Sequence, residues 1–122
     1  MTTLETFVKL LSDYKEAQTG KASAPDDIAY DVWSDIAHSL YADMSDMVKA
    51  ATTPVTPITK NVDSIHQDIG MCGTCCRLTV LRKDSEAEYY QAKADLLASR
   101  VAITFELLLY SQAYWNGTEV TT

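Results

Sequence analysis

The sequence predicts an all-α fold, an antiparallel four-helix bundle with a long C-terminal helix, in a single helical domain covering residues 1–122. Three observations carry that expectation. Only four glycines and three prolines interrupt the chain, which leaves room for few turns and favours long helices over many short strands. Apolar residues recur at intervals of three and four along most of its length. The stretch Ser85–Trp115 reads as one helix of about 45 Å, at roughly 1.5 Å per residue. Its second half, from Val101 to Tyr110, is apolar nearly all the way round, with Glu106 the only charge between Arg100 and Glu119. Such a helix has to be surrounded by its own bundle, by a second subunit or by lipid.

The first helix is expected from about Thr3 to Gln18. Thr2 and Glu5 have capping-box spacing, Leu4, Phe7, Val8, Leu11 and Tyr14 form a helical stripe, and Gly20 is a natural terminator. Ser23-Ala-Pro-Asp26 combines a cap candidate, an early proline and an acidic first turn, so a second helix should start there and run to about Ala51. Its buried line is expected to be Ile28, Val32, Ile36, Leu40, Met44 and Met47, with Trp33 and Tyr41 on the flank. Between Ala22 and Val48 there are six aspartates and no lysine or arginine. Asp27, Asp31, Asp35, Asp43 and Asp46 belong to that acidic face, and the first three, spaced at four, repel one another by a few tenths of a kcal/mol per pair.

The third helix is expected to open at Thr56-Pro57. A heptad-like seam follows through Ile58, Val62, Ile65, Ile69, Cys72 and Cys76. It passes through Gly70 and Gly73, each costing about 1 kcal/mol relative to alanine in a helix interior. Two readings compete: a helix continuing to roughly Arg82 with a bend or a close backbone contact near the glycines, or a stop at Gly70 and a short turn leading to an extended Arg77–Leu81. The continuous helix is preferred, because a lone strand has no partner. The fourth helix opens at Ser85, with Glu88 at capping-box spacing, and Asn116-Gly117 is expected to form the turn that ends it.

Composition narrows the function classes. A net charge of −7 argues against a stripe for nucleic-acid phosphates, which needs clustered Lys and Arg. Residues 96–115 approach membrane-spanning length, yet their polar residues, Arg100 and Glu106 among them, favour a buried helix over a span. No basic segment followed by an apolar run opens the chain, and three cysteines within five residues suit no secreted disulfide framework, so an intracellular, cytoplasmic setting is expected.

Candidate chemistry is sparse. Cys72, Cys75, Cys76 and His66 suit zinc by ligand type, but structural sites usually draw ligand pairs from two separated turns. The alternatives are a redox-active Cys72-Gly-Thr-Cys75 pair and the favoured reading, small apolar core residues. Asp35 with His38, and Asp63 with His66, repeat the three-residue interval of carboxylate–histidine metal pairs, without the further glutamates such bundles use. No phosphate loop, nucleophile elbow or Ser/His/Asp arrangement is visible, so neither an enzyme nor a cofactor is expected.

Glu106 needs a cation from another helix or subunit if it is buried, with Arg77, Arg82 and Arg100 as candidates, or else a position at the surface edge. Aromatic residues concentrate on the last helix, as they do in interface cores. Tyr89, Tyr90, Phe105, Glu106, Leu109, Tyr110, Tyr114 and Trp115 are therefore the expected interface. The leading functional expectation is a small, non-enzymatic accessory protein that oligomerises or acts as a structural adaptor, with itself as partner. The second is an acidic inhibitor binding the basic, nucleic-acid-binding surface of another protein, whose binding would weaken steeply with salt. The third is a cysteine-based metal or redox sensor, to be tested by elemental analysis and a thiol count. Direct binding of nucleic acid or membrane is not expected.

Overall fold

A computed structural model describes the backbone of residues 2–52, 60–81 and 86–121, and the side chains of residues 2–51, 64–81 and 86–110. Among the described residues the architecture is all-α: α1 (Thr3–Ala22), α2 (Asp27–Thr52), α3 (Lys60–Leu81) and α4 (Ala87–Thr121). The expected starts of the third helix at Thr56-Pro57 and the fourth at Ser85 lie outside the described residues. Among the described residues, no helix is long and apolar enough to cross a membrane.

Local chemistry accounts for the first turn. The Glu5 backbone N–H donates to the Thr2 hydroxyl at 3.1 Å, and that hydroxyl reaches the Glu5 carboxylate at 3.1 Å, which caps α1. Gly20 does not end the helix as its composition suggested. It lies inside α1, where the Trp33 ring of α2 packs over the place a Cβ would occupy, so glycine is needed here for packing. The terminator is Ser23, whose backbone N–H and hydroxyl both return to the Thr19 carbonyl. Ser23 thus closes α1 and does not open α2; Asp26 does that, accepting from the Ala29 N–H at 2.8 Å.

In α2 the buried line departs from the expected one over its first half. Ala37, Met44, Val48 and Ala51 face the core, with Trp33, Leu40, Tyr41 and Met47 packed beside them. Ile28, Val32 and Ile36 are exposed. Periodicity alone could not choose between the two lines, since both repeat at helical spacing; the bulk of Trp33 and its seat over Gly20 decide it.

The third helix is continuous through both glycines to Leu81, and Ile65, Ile69, Cys72 and Cys76 are buried as their spacing implied. At Gly73 the two helices approach so closely that an added Cβ would lie 2.8 Å from Tyr14 Cε1. This is the close contact that justifies glycine in a helix interior. Gly70 has no such neighbour.

The main core joins all four helices: Phe7, Leu11, Tyr14 and Ala17 from α1, Ala37, Met44 and Val48 from α2, Ile65 and Ile69 from α3, and Val101, Phe105 and Leu108 from α4. Phe7 and Phe105 stack at its centre, with ring centroids 3.9 Å apart and 18° between planes. As α1 runs from Phe7 to Lys15, its contacts on α4 move back from Phe105 to Asp95. A smaller cluster of Cys72, Cys75 and Cys76 with Ala94 and Leu97 fills the seam between α3 and α4. The same seam is tied by a two-pronged bond from the Arg100 guanidinium to buried Asp68, with Arg100 Nε donating to Asp68 Oδ2 at 2.8 Å.

The last helix continues to Thr121, through the Asn116-Gly117 pair expected to end it. Glycine within a helix costs only about 1 kcal/mol, too little by itself to stop one.

Candidate functional site

Every third or fourth residue of α4 turns inward. Ala94, Leu97, Val101, Phe105 and Leu108 are buried in the chain's own core. On the opposite side a second apolar line stays open: Tyr89 is 63% exposed, Leu96 67%, Ile103 58%, Leu107 58% and Tyr110 70%. Tyr89, Leu96, Ile103 and Tyr110 are spaced at seven, and Ala92, Ser99 and Glu106, all exposed, fall between them. The helix therefore carries two apolar seams back to back, of which the described residues of the bundle cover one.

The neighbouring helices border the open seam on either side. Along one edge lies α1, where Val8, Leu11, Ser12 and Lys15 face Ala98, Ser99 and Ala102 across a shallow groove. Along the other lies α3, where Ser64, Gln67, Asp68 and Met71 face Lys93, Leu97 and Arg100. The Lys15 ammonium bonds Asp95 at 2.9 Å on the α1 edge. Burial works to lower the Lys15 pKa, but the Asp95 contact and the nearby thiols outweigh it and leave it raised. Asp95 is correspondingly held below the usual carboxylate range by Lys15, with Gln91 adding a second hydrogen bond.

The expected interface residues divide. Tyr89, Glu106 and Tyr110 are on the open side, Tyr90 is half-buried, and the side chains of Tyr114 and Trp115 lie outside the described residues. Phe105 belongs to the core and is unavailable to a partner, and Leu109 is packed against that core. Leu96, Ile103 and Leu107, which are also exposed on this side, are not among the expected residues. The seven-residue spacing from Tyr89 to Tyr110 was the signal that could have found them, and it was masked by the apolar inner line. Glu106 occupies a surface position within the open seam and has no ion-pair partner among the described residues. Arg100, one of the cations considered for it, is taken by Asp68.

The cysteines and His66 do not assemble. Among the described residues no group of three or more His, Cys, Asp or Glu is placed to hold a metal ion. His66 pairs with α2 instead, its Nε2 lying 3.2 Å from the Ser45 hydroxyl and its ring 6.3 Å from the Tyr41 ring. All three cysteines are buried and free of disulfides. Cys72 donates to the Ala94 carbonyl at 3.3 Å. The adjoining Cys76 sulfur, with burial second, pushes the Cys72 pKa well up. The adjoining Cys72 thiol, aided by the Lys15 ammonium, lowers that of Cys76 against the opposing effect of burial. Burial also raises the Cys75 thiol. Cys76 is thus the thiol that ionises first, although its side chain is enclosed.

On α2 the aspartates Asp27, Asp31, Asp35, Asp43 and Asp46 are all exposed, as is His38. The open Ile28 and Val32 run beside the first three, so this face is acidic and apolar together.

No protein-family model, curated protein or solved structure matches the chain.

Proposed function

We propose that this chain is a non-enzymatic protein-interaction module that associates with copies of itself through the open seam of α4. The single observation behind this reading is the line of Tyr89, Leu96, Ile103, Leu107 and Tyr110, bare along one side of a helix whose other side is a packed core. Apolar surface organised in a continuous stripe is stabilised by removal from water at roughly 25 cal/mol per Å². Isolated exposed leucines need no such explanation; a stripe with heptad spacing does. The three free thiols fit the reducing interior of a cell, which is where we place the protein.

Light scattering coupled to size exclusion at micromolar concentration tests the reading. The wild-type chain should run as an oligomer, and Leu96→Glu combined with Ile103→Glu should give a monomer of unchanged helix content. A monomeric wild-type chain sinks the proposal.

A second reading, an acidic module docking on a basic surface of another protein, draws support from the exposed Ile28 and Val32 beside Asp27, Asp31 and Asp35. Its binding would collapse with rising salt, whereas association through α4 would be far less sensitive.

A further inference from the structure

The first half of α2 repeats one pair of side-chain types at every fourth residue: Asp27-Ile28, Asp31-Val32 and Asp35-Ile36. Residues four apart on a helix lie almost above one another, so the aspartates form one ridge and the aliphatics a second beside it. Both ridges are open to solvent. Ile28 is 78% exposed, Val32 54% and Ile36 41%, and the three aspartates are exposed with them, while Ala37, Met44, Val48 and Ala51 turn to the core. From Asp27 to Ile36 the double ridge is about 14 Å long, at roughly 1.5 Å per residue.

The acidic ridge has no compensation within the chain. No Lys or Arg stands between Ala22 and Val48, and none of the three aspartates joins an ion pair among the described residues. The lysines of α1 are engaged elsewhere: Lys9 bonds Asp13, Lys15 bonds Asp95, and Lys21 lies over the Tyr30 ring, 5.3 Å from its centroid. Carboxylates four apart on a helix repel one another, and aliphatic side chains are disfavoured in water. The free helix carries both costs side by side.

Charge complementarity selects the occupant that relieves them together. A second copy bringing the same face would set aspartate against aspartate, and nucleic acid and anionic lipid are repelled likewise. A flat cluster of lysines would neutralise the acidic ridge and leave the aliphatic ridge wet. Resting on the second reading above, that of an acidic module, we infer that this face of α2 receives a basic amphipathic helix of another protein. The partner lays an apolar row along Ile28, Val32 and Ile36, and the Lys or Arg beside that row reach Asp27, Asp31 and Asp35. Two such four-spaced ridge systems interdigitate when the helices cross at about −50°. The apolar row holds the helix, and the charges choose and steer it.

A fluorescent synthetic peptide of about 16 residues, roughly four helical turns, is the probe. It carries leucine at every fourth position, lysine beside each leucine and alanine elsewhere; a second peptide has the same residues reordered so that no apolar row forms. Anisotropy titrations against the full chain at about 0.1 M salt, where distant charges are screened, should show the first peptide binding and the second binding far more weakly. Ile28→Ser with Val32→Ser should weaken the first peptide by about tenfold or more. Asp31→Asn with Asp35→Asn should weaken it by about fivefold and flatten its salt dependence. Equal binding of the two peptides, or no effect of either pair of substitutions, overturns the amphipathic partner and leaves the acidic-module reading standing. Binding of neither peptide overturns both. If Ile28→Ser with Val32→Ser instead converts an oligomer into a monomer, a second copy occupies the face and the inference is overturned.

Discussion

At the scale of single residues, the two glycines of α3 show how an identical composition signal divides on packing. Replacing either by alanine removes the conformational freedom of glycine from the unfolded chain, a gain of about 0.5–1 kcal/mol where the site has room. Gly70 has room, with nothing within 4 Å of an added Cβ. At Gly73 the methyl would press on the Tyr14 ring and the Gln18 amide, which are joined by a 2.8 Å hydrogen bond. Gly70→Ala should therefore raise the free energy of unfolding by about 0.5–1 kcal/mol, and Gly73→Ala should lower it by about 1–3 kcal/mol, as overpacking does. Chemical denaturation with matched m-values checks both; equal effects would contradict the close approach of α1 and α3. Nothing in the sequence distinguishes the two positions, because the partner of Gly73 lies 59 residues away in the chain, at Tyr14. The capping of α1 by Thr2 and Glu5 was legible for the opposite reason, since both groups sit within one turn.

At the scale of elements, legibility followed how many faces of a helix are apolar. α3 has one apolar line, and its seam through Ile65, Ile69, Cys72 and Cys76 could be read from spacing alone. On α2 two lines compete, Ile28–Val32–Ile36 and Trp33–Ala37–Met44, and hydrophobicity favours the wrong one because its side chains are branched aliphatics. Serine at Ile28 and Val32 together should shift stability by no more than about 1 kcal/mol, at about 0.5 kcal/mol for each surface change. Alanine at Met44, which is fully buried, should cost about 2–5 kcal/mol. Thermal and urea unfolding of the two variants compares the faces directly, and a large loss from the Ile28/Val32 variant would restore the line suggested by the sequence. On α4 both lines are apolar, so the sequence implied a helix with apolar sides all round but not which residues its own bundle covers. Phe105 shows the limit: aromatic character suggested an interface, whereas its stacking on Phe7 makes it core.

At the scale of the whole molecule, the all-α architecture was the most legible property, because it depends on sums over many residues: scarce turn formers and persistent helical spacing. The candidate site was less so, since it is defined by what the fold leaves uncovered, and that is known only once the fold is built. The thiol cluster was legible in part. Its cysteines are buried apolar residues as expected, while the influence of Lys15 on Cys76 arises between α1 and α3 and has no local signature.

The back-to-back seams of α4 have a thermodynamic consequence. One helix supplies Val101, Phe105 and Leu108 to the core of its own chain and, through its other side, the surface proposed for a partner. Melting α4 would then break both sets of contacts at once, so mass action enters the folding equilibrium. With association linked to the native state alone, the midpoint of thermal unfolding should climb as total chain concentration is raised from about 1 to 100 μM, because the stabilising free energy grows as RT ln of one plus the ratio of partner concentration to dissociation constant. Calorimetry across that range measures it. A midpoint independent of concentration would mean that each chain melts as a solitary unit, with the outer seam of α4 contributing nothing to its endurance.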